Sequence, residues 1–209
     1  MSFFDQLFGK ASTATSIPIE DVVFVVFDTE TTGFNYATDR ILSIGAVRVQ
    51  DNRIEIKDSF EIFLAQEVFN PESVPIHGII KHHKYEKIPE KEAVSRFADY
   101  VKNTVLVGHH VGYDVKMVNA ALERHGLPPL ENKFIDTNYL FKKTKTINVL
   151  LQNDKNYSLD EVCHDLNITT HDRHNAAGDA LLTSIAFLKI VTKLSQSKRL
   201  HTLGALLRL

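Results

Sequence analysis

Residues 22–34 read Val-Val-Phe-Val-Val-Phe-Asp-Thr-Glu-Thr-Thr-Gly-Phe, and no other stretch restricts the fold as tightly. The opening run is β-branched and aromatic, too short to cross a bilayer and too apolar for an exposed strand, which predicts a buried central strand. Asp28 and Glu30 stand at its end. Side chains alternate across a strand, so these two carboxylates project from one face of a stiff element. Like charges held this close repel unless one is protonated or a cation lies between them, and hard carboxylate oxygens suit Mg²⁺ or Mn²⁺. Gly33 then permits a sharp turn and the close approach of a ligand to the backbone. Two solvated acids at a strand end fit this segment as well as a metal site does, and the rest of the chain has to decide.

A chain of 209 residues with 44% hydrophobic and 24% charged residues suits one soluble domain with a sizeable core. Its formal net charge of -2 argues against bulk coating of duplex DNA, which needs many phosphate-neutralising cations, but allows a nucleic-acid enzyme whose positive charge comes from metal ions. Cys163 is the single cysteine, so no intrachain disulfide exists and a reducing compartment fits. The first ten residues lack a basic leader and no later stretch reaches the length of a membrane span, so a cytoplasmic protein without a membrane partner is expected.

Phe3, Phe4, Leu7 and Phe8 fall at helical spacing ahead of a small, polar stretch at 11–16; this arm, residues 1–20, is either a docking peptide for a partner or a terminus folded back on its own domain. A second strand is expected over 41–49 and a third over 53–64, joined by a tight turn at Asp51-Asn52, which makes an antiparallel three-strand meander. Ala93, Val94, Phe97, Ala98 and Val101 keep a helical period over 90–102, leading into a strand at 104–108. A helix at about 113–125 stops at Gly126 with Pro128 beyond, 134–136 reads as a short strand, Ser158 to Glu161 matches a capping box, and a long helix covers 176–194. The expected fold is therefore α/β, a mixed sheet of meander plus parallel strands with helices on both faces. The main domain spans 21–194, and the tail at 195–209 is either a partner-binding helix or the last piece of packing.

Val107-Gly-His-His-Val-Gly-Tyr-Asp114 runs from a strand end into a helix start. Asp114 is explained either as a charge favoured by the helix N-terminus or as an acid beside the sheet edge where α/β proteins place ligands. His174 and Asp179 are five residues apart, about 140° around a helix, and cannot share a helical face. His174 therefore belongs on the loop before the helix, as an exposed histidine or as a general base able to bend back toward Asp179. Lys81, Lys84 and Lys87, and again Lys142, Lys143 and Lys145, either guide a single strand toward a site or form a solvated face. Zinc is not expected, because His82-His83 and His109-His110 lack a spaced Cys or His partner set.

Taken together, Asp-x-Glu with Thr-Gly behind it, the Asp of Gly-His-His-x-Gly-Tyr-Asp, and His-x-x-x-x-Asp near the C-terminus resemble the three motifs of the DEDDh, or DnaQ-like, 3′→5′ exonucleases, the group that includes the proofreading epsilon subunit of bacterial DNA polymerase III. The resemblance covers about 22–191 and extends to Ile76-His77-Gly78-Ile79, to Phe134-Ile-Asp-Thr137 and to the Tyr157–Cys163 stretch. It implies a ribonuclease H-like fold. It further implies two divalent ions, Mg²⁺ or Mn²⁺, held by Asp28, Glu30, Asp114 and Asp179 with Asp28 bridging, and His174 deprotonating the attacking water. By the same resemblance Thr31, Thr32 and Gly33 offer hydroxyl and backbone groups to the terminal nucleotide, and Phe34, His77 and Ile79 line its base and sugar. Four residues between His174 and Asp179 match the histidine branch. His110 stands where the family usually has Asn and Tyr113 where it has Phe; neither position is a metal ligand, so the departures bear on the fit of the terminal nucleotide.

The reading is a metal-dependent exonuclease that releases nucleoside 5′-monophosphates from single-stranded or frayed 3′ ends of DNA. An RNA-trimming relative similar to ribonuclease T or oligoribonuclease, and a catalytically silent 3′-end-binding module, are the alternatives. A proofreading role requires a separate polymerase, bound through the terminal segments.

Overall fold

The computed structural model describes residues 16–68, 70–79, 86–145, 155–171, 173–198 and 200–209, with the backbone alone at 76, 77 and 198. The apolar run becomes β1 (Phe24–Thr31), flanked on one side by β2 (Ile41–Gln50) and on the other by β5 (Val105–Gly108) in a six-stranded sheet ordered β4-β3-β2-β1-β5-β6. β2 pairs antiparallel with β1, and β3 (Arg53–Ala65) antiparallel with β2. β5 runs parallel to β1, β6 (Phe134–Asp136) parallel to β5, and β4 (Lys87–Pro89) parallel to β3. This is the expected mixed sheet. The β2–β3 turn is made by two left-handed residues, Asp51 at φ 49° and Asn52 at φ 57°, a backbone that the short polar side chains of Asp and Asn tolerate.

Alternation along β1 sorts its side chains between two cores. Phe24 and Val26 pack with Ala186, Phe187 and Ile190 of α6 (Ala176–Lys198), whereas Val25 and Phe27 pack with Phe97 of α2 (Glu90–Tyr100) and Met117 of α3 (Gly112–Arg124). Each such fully buried side chain contributes about 1.5–3 kcal/mol, and a strand filled on both faces has to be central. The helices over 90–102, 113–125 and 176–194 appear as α2, α3 and α6, shifted by a few residues at their ends. α3 closes on Gly126, whose φ of 66° suits a residue without a Cβ.

Among the described residues, β4, α1 (Val74–His77), α4 (Thr137–Thr144) and a 3₁₀ turn at Ile19–Asp21 have no counterpart in the sequence reading, while α7 (Leu203–Leu206) falls in the tail read as a partner-binding helix or as packing. α4 escaped because its buried face carries Thr137, Asn138 and Thr144 beside Leu140 and Phe141, which masks the apolar period. Its start is nonetheless capped by Asp136, which accepts a bond from the Asn138 N–H at 2.8 Å. At the end of the chain, Leu200, Leu203 and Leu206 are buried in the α6-side core. There the Ile19 N–H donates to the His201 carbonyl at 3.0 Å and the Leu203 N–H to the Ile17 carbonyl at 2.8 Å, so the described ends of the chain are stitched together. The expected amphipathic turn at Phe3–Phe8 lies outside the described residues, as do Lys81 and Lys84. No helix among the described residues is long and apolar enough to cross a membrane.

Candidate active site

The last residues of β1 divide between the two faces as the preceding ones do. Asp28 and Glu30 turn toward α6, and Thr29 toward α3. What brings α6 onto the acids is a glycine in the neighbouring strand: Gly45 pairs with Asp28, and a Cβ on it would lie 2.2 Å from backbone atoms of Ala176 and Ala177. No side chain fits there, so the helix start rests directly on the sheet. Asn175 begins the helix, its Oδ1 accepting from the Ala177 and Gly178 N–H groups at 3.0 and 3.2 Å. Asp179, in the first turn, is thereby carried to β1, and one oxygen each of Asp28, Glu30 and Asp179 lie within 4.8 Å of one another.

Asp114 arrives from the opposite face. It lies in the first turn of α3, and its Oδ1 accepts both the Thr29 backbone N–H at 3.1 Å and the Thr29 hydroxyl at 2.6 Å. The acid in the first turn of the helix is thus also one that reaches the edge of the sheet. Burial pushes Asp114 up to about 7 even though Thr29 opposes the shift, and pushes Glu30 up to about 7 with help from Asp179 and Asp114. Asp28 is raised well above the ordinary carboxylate range, first by burial and then by repulsion from Asp114, Glu30 and Asp179. Asp28, Glu30 and Asp114 are thus pushed upward together, with Asp179 beside the first two, an arrangement whose repulsion a bound cation would relieve.

These acids open into a cleft of about 430 Å³ that is also lined by Thr31, Gly33, Phe34, Ser73, His109, His110, Tyr113 and His174. His174 occupies a left-handed turn at φ 61°, before α6 as its spacing required, and its backbone N–H donates to Asp179 Oδ2 at 3.2 Å. Phe34 is 85% exposed beside the Tyr113 ring, at 5.8 Å between centroids. The hydroxyls of Thr31 and Tyr113 both donate to the Gly33 carbonyl, which fixes the bend after β1. His110, at φ 60°, lines the rim with its N–H toward Asp136 at 3.3 Å. Beneath it the His109 ring bridges the Thr137 hydroxyl at 3.0 Å and the Tyr157 carbonyl at 2.8 Å, and burial lowers it to about 4, so it braces the loop as a neutral imidazole.

Two residues expected at the nucleotide do not line this cleft. Thr32 is fully buried, its hydroxyl donating to Asp39 at 2.8 Å and accepting from the Arg40 N–H at 3.0 Å while Asn70 donates to its carbonyl, so it shapes the loop below the cleft. Ile79 is buried with Leu42 and Phe63 in a small separate cluster. The side chain of His77 lies outside the described residues. Lys142, Lys143 and Lys145 are engaged locally, by Asn156 at 3.0 Å, the Tyr139 ring at 4.6 Å and the Asp165 carboxylate respectively.

Sequence reasoning missed Thr29, Gly45 and Arg173. Thr29 had a readable signal, since it stands between the two acids on the alternate face. Gly45 looked like any glycine in a strand, and Arg173 like any loop cation; only packing reveals that the first admits α6 and that the second ion-pairs with Asp179.

A family model described as an exonuclease matches residues 25–187. A DNA polymerase III subunit epsilon from Treponema pallidum is 32% identical over 172 residues, covering 82% of this chain and 78% of that protein. A PolC-type DNA polymerase III from Caldanaerobacter subterraneus subsp. tengcongensis is 33% identical over 182 residues, 83% of this chain but 12% of that polymerase. Among solved structures, E. coli exonuclease I in complex with a dT13 oligonucleotide superposes with a TM-score of 0.68 at 18% identity, over 86% of this chain and 42% of that one, which shows a shared ribonuclease H-like fold. A sheet that collects acids from β1, α3 and α6 is therefore matched by sequence along most of its length, and the chain belongs to the exonuclease family, in its DnaQ-like, epsilon-related part.

Proposed function

We propose that this protein is a DEDDh-type 3′→5′ exonuclease that removes nucleoside 5′-monophosphates from single-stranded or frayed 3′ ends of DNA. The observation that carries the reading is the convergence of Asp28, Glu30 and Asp179 oxygens within 4.8 Å, in a cleft that also holds Asp114 and His174. The donor set fits hard divalent cations, since the group that could hold an ion offers carboxylate oxygens only. Two Mg²⁺ or Mn²⁺ ions, when bound, supply charge stabilisation for the entering and leaving oxygens of an in-line phosphodiester displacement.

The remaining work falls to the chain. Asp28, Glu30, Asp114 and Asp179 hold the cations, and Thr29 keeps Asp114 oriented. His174 takes the proton of the attacking water at an imidazole nitrogen, a task suited to an exposed histidine on a turn. Phe34 stacks against the terminal base, Tyr113 supports its ring, and Gly33 brings the backbone close to the sugar. DNA is favoured because the relatives are DNA polymerase III subunits; association with a polymerase is part of the same proposal.

The test is incubation of the protein with single-stranded DNA and RNA labelled at either end, with Mn²⁺ or with EDTA, and Asp28→Ala as the inactive control. Stepwise shortening of 5′-labelled DNA with release of 5′-monophosphates is expected. Efficient trimming of RNA alone would reassign the substrate to the ribonuclease T-like alternative, and no product from either polymer would defeat the enzyme reading.

A further inference from the structure

Both Asp179 oxygens are engaged inside the protein: Oδ2 by the His174 backbone N–H at 3.2 Å, and Oδ1 by the Arg173 guanidinium. The same guanidinium reaches across to Asp160 in the first turn of α5 (Leu159–Asp165), its Nε donating to Oδ1 at 2.7 Å. Arg173 is 20% exposed between a 9%-exposed Asp179 and a 58%-exposed Asp160, so it leans on a buried acid of the cleft with an outer acid behind it. Its positive charge also opposes the upward shift of both Asp28 and Glu30.

We propose that Arg173 is a tethered counter-cation that competes with the divalent ion for Asp179, and that Asp160 is the alternative anchor to which it retreats when the ion enters. The proposal rests on the metal-site reading above. A planar guanidinium can satisfy one carboxylate with Nε while releasing another held by Nη1, which a lysine ammonium cannot do as well. A dication arriving at Asp179 Oδ1 meets this fixed positive charge and has to displace it. Asp179 itself does not need Arg173 for its position, because the first turn of α6 and the His174 N–H already hold it. Arg173 is thus a positioning residue that sets metal affinity and keeps neighbouring acids tolerable while an ion exchanges.

Mn²⁺ binding by full-length protein, followed through the electron paramagnetic signal of free Mn²⁺, tests this. Arg173→Gln should bind Mn²⁺ at least tenfold more tightly than wild type, whereas Asp160→Asn, which leaves Asp179 as the guanidinium's charged partner, should bind several-fold more weakly. A merely structural role for Arg173 predicts weaker binding in both. Unaltered or weakened binding in Arg173→Gln overturns this proposal alone. Wild-type protein that takes up no Mn²⁺ overturns the metal-site reading and this proposal with it. Should Arg173→Gln fail to fold by circular dichroism, the wild-type protein decides the matter: the guanidinium NMR signals of Arg173 should shift as Mg²⁺ is titrated in and the contact with Asp179 is released, and signals unmoved at saturation refute the competition.

Discussion

Glu30→Gln should stabilise the metal-free protein above neutral pH while removing its nuclease activity. Glu30 is 9% exposed, and burial with repulsion from Asp179 and Asp114 raises its pKa from an ordinary 4.5 to about 7. A carboxyl whose pKa is higher folded than unfolded favours the native state below the unfolded value, and that contribution is lost as pH rises through the folded one. The window here is about pH 4.5 to 7. At ~1.4 kcal/mol per pH unit, the loss attributable to Glu30 is on the order of 3 kcal/mol, complete by pH 8. Glutamine keeps the shape and never ionises. In EDTA, urea denaturation of wild type should therefore show lower stability at pH 8 than at pH 5, and Glu30→Gln should be more stable than wild type at pH 8 by a large part of that amount. The two proteins should differ little at pH 5, and a residual slope should remain in the variant from Asp28 and Asp114. In melting terms the gain at pH 8 is several degrees for a chain of this size. Saturating Mn²⁺ should raise wild-type stability at pH 8 more than that of the variant, which lacks one ligand. A variant no more stable than wild type at pH 8 in EDTA would show that Glu30 is not held in a repulsive, desolvated cluster.

Three other perturbations follow from particular contacts. Gly45→Ala forces a Cβ to within 2.2 Å of the start of α6, so the helix must move; a loss of about 1–3 kcal/mol in denaturation and a collapse of activity are expected, and a wild-type melt with full activity would refute the close approach. Phe34→Ala, at an 85%-exposed position, should leave stability within about 0.5 kcal/mol yet raise KM for single-stranded DNA about tenfold or more, since stacking on an aromatic contributes ~1–3 kcal/mol per base; an unchanged KM would remove Phe34 from the substrate path. His174→Gln should lower kcat by roughly 10²–10⁴ without altering Mn²⁺ affinity, whereas loss of Mn²⁺ binding would make His174 a ligand instead of a base.

The polar satisfaction of the β1 loop explains why motif residues that look alike do different work. Thr31 and Thr32 are adjacent hydroxyls in the sequence, yet one faces the cleft while the other is wholly consumed by Asp39 and Arg40. A buried hydroxyl without such partners would be costly, so the loop is built around Thr32, and Thr31 is left at the surface of the site.

What the sequence determined by itself is whatever a few neighbouring residues encode. Period-two alternation placed Asp28 and Glu30 on one face, the Asp51-Asn52 pair made the hairpin turn, Ser158 and Glu161 formed their reciprocal cap at 2.9 and 3.2 Å, and a five-residue gap kept His174 off the helix of Asp179. Tertiary structure decided which of these pieces meet. Asp114 reaches Thr29 across 85 positions because α3 folds back over the β1 edge, and Asp179 reaches Asp28 because a missing side chain at Gly45 lets α6 lie on the sheet. Local backbone preference is written in single residues and short spacings, but the distance between two carboxylates is set by how closely separate elements pack, and that depends on every side chain between them.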